Sequence, residues 1–204
     1  MARRQSQGET TRRRILDVAA REFAKRGYGN VTIEEIATAA AVTKGAVYYW
    51  FTDKDDLGRD LQHELYERMA TTARGALDPH ADTITNLRLG FDAYLSALTS
   101  AGEARFFLRD AWTIPALDDA GRRDHDAAID DLTGTLTDGM ASGDVISCDA
   151  EALARILLGM FAEATLHVLR TGHRDETEQV VDLVLSSLAP DPAETTLSRT
   201  ADAR

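Results

Sequence analysis

The chain has a single cysteine, Cys148, so it can close neither an internal disulfide nor a cysteine metal cluster. That fits a reducing compartment, and Cys148 is expected as a small buried or half-buried side chain. It has only four prolines, none before Pro79, and no sustained alternation of apolar and polar residues. Long helices are open to most of its length, and half-buried strands are not indicated. No apolar run approaches the roughly 18 residues a membrane-spanning helix needs. The basic start, MARRQSQGETTRRR, leads into no apolar segment of the signal-peptide kind. A soluble, cytoplasmic protein without a membrane partner is expected. Catalytic signatures are missing too: there is no Walker loop, dinucleotide glycine fingerprint, GxSxG elbow or paired zinc motif. In Arg122-Arg123-Asp124-His125-Asp126, the adjacent His125 and Asp126 point to different sides of a helix and form no i, i+4 ligand pair. Neither enzyme activity, nor a metal, nor a cofactor is expected.

Charge is unevenly spread. The 204 residues carry a net charge of -11, yet residues 1–51 sum to +4 and residues 52–204 to -15. A basic head on an acidic body favours contact with a polyanion through the head alone, because the body repels it. The length suits one small domain plus a larger one.

Apolar residues recur at helical spacing almost throughout, so the fold is expected to be all-α, with about nine helices. The first helix is predicted from about Thr11, with Ile15, Leu16, Ala19, Ala20, Phe23 and Ala24 on one stripe and Gly27 closing it. Thr32-Ile33-Glu34-Glu35 is a capping box that starts a second helix. This helix breaks near Ala41-Val42, and Thr43 then caps a short third helix from Lys44 to about Phe51. Two short helices joined by about three residues, with Ile36, Val42, Val47 and Phe51 able to share one core, satisfy the helix-turn-helix pattern. Thr52-Asp53-Lys54-Asp55 opens a fourth helix that ends before Asp78-Pro79. Further helices are expected near 82–100, 103–112, 116–141, 150–171 and 176–189, with breaks at Gly102, Pro115, Gly143 and Gly172. The implied organisation is a disordered basic arm (1–10), a helix-turn-helix domain (11–53), a helical body (54–189, with 54–77 as connecting helix) and a disordered tail (190–204).

In a helix-turn-helix the second helix enters the major groove and its N-terminal residues face base edges. Here those residues are Thr43, Lys44, Gly45 and Ala46, with Tyr48 and Tyr49 offering hydroxyls at the groove edge. Thr32 and Lys54, at the starts of flanking helices, are placed to hold phosphate. The two tyrosines could equally cover the core of a small domain, and Lys44 could be a solvated surface lysine. Arg3, Arg4, Arg12, Arg13 and Arg14 either track the minor groove or only raise non-specific affinity.

The segment GYGNVTIEEIATAAAVTKGAVYYWFTDKDDL, with its capped helix, turn and KGxxYYxF in one order and spacing, resembles the DNA-binding segment of the TetR family of repressors. The resemblance covers about Thr11 to Leu61. It implies a three-helix DNA-binding domain, a long connecting fourth helix, a ligand-sensing body and dimerisation through the last two helices. Two positions depart from the family pattern. Ala41 stands where glycine is usual, and an alanine held at positive φ costs on the order of 1 kcal/mol. Trp50 stands where histidine is frequent, exchanging an imidazole donor to phosphate for an indole N–H.

The body suggests two further sites. Leu153, Ile156, Leu157, Met160, Ala164 and Val168 form an apolar stripe, and the last helix, with Val181, Val184, Leu185 and Leu188, is apolar nearly all round. One small body covers such a helix on one side only, so a partner subunit is expected on the other, making an isologous homodimer. A pocket for a mostly apolar small molecule, of unknown identity, is implied chiefly by the resemblance. Its candidates are Phe91, Phe107, Trp112, His125, Ile129, Phe161 and His167, each of which also suits an ordinary core. The resulting expectation is a repressor dimer that binds a pseudo-palindromic double-stranded DNA operator and is released by its effector. The alternative is a helical enzyme or a non-transcriptional DNA-binding scaffold.

Overall fold

The structure, a computed structural model, describes residues 2–101, 106, 108 and 114–191. Among these, eight α-helices and one short 3-10 turn account for the regular structure, with no strand. Chain order is α1 (Ala2–Arg26), the turn Tyr28–Asn30, α2 (Ile33–Ala39), α3 (Lys44–Trp50), α4 (Lys54–Ala76), α5 (Thr83–Ala101), α6 (Pro115–Ser142), α7 (Ala150–Thr171) and α8 (Arg174–Ser186). Of the helix expected at 103–112, only Phe106 and Leu108 are described. Gly102 lies outside the described residues, as do residues 192–204 of the expected tail. Pro115 begins α6 as its first helical residue, where a missing N–H costs nothing.

Two features of the N-terminal half correct the sequence reading. α1 is helical from Ala2, so residues 2–10 continue the helix and do not form a separate arm. Once a helix is nucleated, adding residues costs little, and this stretch has no proline and only Gly8 as a weak former. The second correction concerns the boundary at residue 53. The chain divides into two compact units, the first made of Met1–Met69 and Leu98–His125, the second of Ala70–Ala97 and Asp126–Arg204. α4, α5 and α6 each contribute residues to both.

The first unit is built on Ile15, Leu16, Ala19 and Phe23 of α1, Ile36 and Ala37 of α2, Val47 of α3, and Phe51, Leu57, Leu61 and Leu65 around α4. Residues distant in sequence complete it. Phe106 lies 5.3 Å from the Phe23 ring and 6.3 Å from the Tyr28 ring, centroid to centroid. Leu117 packs so tightly on Gly58 that a Cβ there would meet it at 2.9 Å. These long-range contacts are why the domain does not end at residue 53.

Local chemistry sets the ends of the short helices. Gly27, at φ 81°, turns the chain out of α1. The Thr32 hydroxyl accepts from the Glu35 amide at 3.3 Å while the Glu35 carboxylate accepts from the Thr32 amide at 2.8 Å, the reciprocal capping box expected from the sequence. α2 closes with the Val42 amide donating to the Ala37 carbonyl (3.0 Å) and the Ala41 amide to the Thr38 carbonyl (3.1 Å), a Schellman arrangement. Ala41 takes the left-handed position of that motif at φ 52°, the one non-glycine with positive φ among the described residues. The alanine keeps the glycine geometry and carries the strain. Asp53 then caps α4 by accepting from the Asp56 amide at 2.7 Å.

The second unit packs Ile84, Leu87, Phe91 and Leu95 of α5 against Ile129 and Leu136 of α6, Ala154, Leu157, Phe161 and Val168 of α7, and Val181 and Leu185 of α8. Phe91 and Phe161 stack with centroids 4.8 Å apart. Polar links tie α8 to α5: Arg88 pairs with Asp182 and donates to Ser186 Oγ at 2.7 Å, and Arg174 pairs with Asp92 and donates to Ser96 Oγ at 2.9 Å. By length and composition α7 is able to cross a membrane, with a mean hydropathy of 1.5, although no such helix is expected from uninterrupted apolar runs. Its Arg155 and Glu163 interrupt any such run, while one of its faces is committed to the core of this unit.

Candidate nucleic-acid interface

α3 has seven residues and one of them, Val47, is buried. A helix so short gains little from its own hydrogen bonds, so it is held by Val47, by Phe51 just beyond it, and by its cap, the Thr43 hydroxyl accepting from the Ala46 amide at 3.1 Å. The opposite face is presented outward. Positions 44 and 48, and 45 and 49, lie one turn apart, so Lys44, Gly45, Tyr48 and Tyr49 form one exposed surface. Tyr49 is 78% exposed and Tyr48 47%, so neither serves to cover the core. Around Gly45 a Cβ would meet nothing nearer than Thr43 Oγ1, at 3.9 Å, so the tip of α3 is open to close approach.

The charged groups around this face are organised by partners that the sequence pattern does not reveal. Lys44 is ion-paired with Glu34 of α2, and its ammonium lies 5.6 Å from the Tyr48 ring centroid. The hydrogen bond between them lowers the Glu34 carboxyl below its ordinary range and raises the Lys44 ammonium. Glu35 is drawn down to about 2, first by Arg26 at 2.7 Å and then by the Thr32 amide and hydroxyl. Sequence reasoning missed Glu34 because its link to Lys44 spans the helix-turn-helix turn, where no local spacing rule applies.

Other expected contact residues are differently placed. Lys54 donates to the carbonyls of Tyr28 (3.1 Å) and Val31 (3.2 Å) and lies 4.4 Å from the Tyr28 ring centroid. Two of its three donors therefore cross-link the segment between α1 and α2. The Thr32 hydroxyl is exposed but already engaged at both ends with Glu35. Trp50 is half-buried against the core, with its ring beside Gly8, and meets Tyr49 edge-on at 5.0 Å. Arg12 pairs with Asp60 (2.7 Å) and Glu64 (3.4 Å), so it ties α1 to α4 and is not a free arm residue. The side chains of Arg3 and Arg4 lie outside the described residues.

Of the seven pocket candidates, Phe91, Ile129 and Phe161 pack together in the core of the second unit. His167 is exposed on α7. The buried stripe there runs through Leu157, Phe161, Thr165 and Val168, and a helix turns about 100° per residue, which carries position 167 off it. His125 is half-buried in the first unit, and Phe107 and Trp112 lie outside the described residues. Among the described residues no three His, Cys, Asp or Glu side chains converge as for a metal ion.

The expected interface residues divide by helix face. Leu157, Val168, Val181, Leu185 and Leu188 are buried in the chain's own core, which corrects their assignment to a subunit contact. Leu153, Met160 and Ala164 are half-buried at its margin. Ile156 (67% exposed) and Val184 are outward-facing, joined by Val180 and by Leu183 (71% exposed), which the sequence reading did not single out as contact residues.

A capped α2, a left-handed turn and an α3 with one anchored and one open face constitute a helix-turn-helix unit of the DNA-binding kind. Residues 15–61 match the model for bacterial regulatory proteins of the tetR family, and residues 84–190 match that for the tetracyclin repressor-like C-terminal domain. The chain belongs to the tetR family. The HTH-type transcriptional regulator AcrR of Shigella flexneri is 50% identical over 58 residues, which is 28% of this chain and 27% of that protein. The chain thus spans only about a quarter to two fifths of the length of the first curated relatives it matches. Among solved structures, the fatty acid degradation regulator FadR from Bacillus halodurans superposes with a TM-score of 0.77 at 19% identity, covering 89% of this chain and 95% of that one. AibR, solved with isovaleryl coenzyme A and operator DNA, gives 0.69 at 21%, covering 88% and 98%. These structures share the fold.

Proposed function

We propose that this chain is a cytoplasmic, DNA-binding transcriptional repressor, with no enzymatic activity, acting as a homodimer. The observation that carries the reading is the open face of α3, where Lys44, Gly45, Tyr48 and Tyr49 point outward while Val47 is buried on the opposite face. Such a face can enter the major groove: small residues at the tip let the backbone approach, and the lysine and tyrosines reach phosphate and base edges. The aliphatic side chains left exposed on α7 and α8 supply the second requirement, a surface on which two copies associate isologously. A pseudo-palindromic operator then presents successive grooves about 34–36 Å apart to the two α3 helices. An effector that is small and mostly apolar would bind the helical body and weaken DNA binding by favouring a different spacing, each 1.4 kcal/mol of coupling giving about tenfold. That AibR is described with both an acyl-coenzyme A and operator DNA supports this class of reading.

Titration of the protein into labelled duplex DNA by fluorescence anisotropy, at several salt concentrations, tests it. Affinity falls steeply as salt rises, and on a duplex that carries the operator Lys44→Ala weakens binding by about tenfold, in the range of one good contact to a base or phosphate. A salt-independent signal, or no binding at low salt, would favour a scaffold or an enzyme and defeat the reading.

A further inference from the structure

Glu34 is the residue that the DNA-binding reading does not use. It is the second residue of α2, on the helix that precedes the groove-facing one, and its carboxylate pairs with the Lys44 ammonium at the tip of α3. Both side chains are more than half exposed, so neither is held by burial, and each is free to exchange partner. In the free protein the one cation of α3 is therefore neutralised from within the same domain.

Resting on the DNA-binding reading, we propose that Glu34 is a specificity-determining residue, an internal stand-in for phosphate that withholds Lys44 from DNA until correctly placed acceptors displace it. Non-specific binding consists almost entirely of lysine and arginine neutralising phosphates with release of counterions. A lysine that already holds a carboxylate contributes little to that attraction. When Lys44 turns to a phosphate, Glu34 is left unpaired and recovers a cation from solution, so the exchange releases almost no net counterion. A site that offers Lys44 a fixed acceptor in the groove as well as a phosphate repays the exchange, whereas a random duplex does not. Glu34 acts through Lys44 and does not itself contact the nucleic acid.

The test is a double-mutant cycle on the full-length chain with a random-sequence duplex as probe. Glu34→Gln should raise affinity for this duplex about 3- to 10-fold near 0.1 M salt and steepen the slope of log K against log salt by about 0.9, the share of one additional phosphate contact. With Lys44→Ala already present, Glu34→Gln should leave that slope unchanged. An equal increase with and without Lys44 would mean general charge repulsion and overturn the proposal. So would an unchanged slope in a wild-type background that binds duplex normally, and that result would leave the DNA-binding reading standing. If wild-type protein binds no duplex, both fall. A measurement without DNA separates the two further: the Glu34 carboxyl, followed by NMR against pH, should titrate at higher pH in Lys44→Ala than in wild type. Identical curves would show that the pair does not form and refute the proposal alone.

Discussion

The two compact units expose opposite kinds of surface. In the first, a seven-residue helix shows a lysine, a glycine and two tyrosines to solvent, and the charged groups around it are paired or capped one by one. In the second, helices of 22 and 13 residues show the aliphatic side chains of Ile156, Val180, Leu183 and Val184. A surface of hydroxyls and a cation suits a polyanion, while an aliphatic stripe suits another apolar surface.

The largest effects are expected from the core of the first unit and the exposed stripe of the second. Phe23→Ala, which removes a fully buried ring that contacts both Tyr28 and Phe106, should cost about 3–5 kcal/mol and abolish duplex binding, read by thermal unfolding and anisotropy. Leu183→Asp touches no core. It should leave the helical content intact but weaken self-association by one to two orders of magnitude, since burying such a side chain is worth about 1.5–3 kcal/mol. Sedimentation velocity showing an unchanged dimer would remove the aliphatic stripe from the interface.

Smaller effects sharpen the first unit. Thr32→Ala deletes the α2 cap and should destabilise by about 1 kcal/mol, with DNA affinity reduced in proportion to the fraying of α2. Glu35 adds a pH dependence whose sign follows from its lowered carboxyl. Folding is favoured by this group above its ordinary value of 4.5, and the benefit disappears as pH falls through about 2. Glu35→Gln should therefore lower the Tm at pH 7, with the gap to wild type narrowing below about pH 4.5 and closing near 2. The least change is expected from Ala41→Gly, which relieves the left-handed alanine and should stabilise by a few tenths to about 1 kcal/mol by urea titration. A loss of stability there would mean that the strain is smaller than the added entropy of the unfolded chain.

The helices, their caps and the helix-turn-helix were legible in the sequence because each depends on residues within about five positions of one another. A threonine three residues before a glutamate, or an apolar stripe of period 3.6, acts before distant parts of the chain meet. The inward turn of Val47 was legible too, whereas the outward placement of Tyr48 and Tyr49, which could have covered the core, was not. The fate of individual charges was not. Lys54, expected on phosphate, is held by the carbonyls of Tyr28 and Val31, and Arg12, expected to track the minor groove or raise non-specific affinity, is tied to Asp60 and Glu64. Long cationic side chains reach several partners, and the choice among them depends on backbone brought near by folding.

Residue order alone was enough to set the helices, where most of them stop, and the polar character of the α3 face against the aliphatic character of α7 and α8. Folding was needed for Phe106 and Leu117 to complete the first core, for Leu157 and Leu185 to turn inward while Ile156 and Leu183 stay outside, and for Glu34 to take Lys44. The physical reason is range: hydrogen bonding and helical period act between near neighbours, whereas burial and ion pairing depend on which distant surfaces the fold brings into contact.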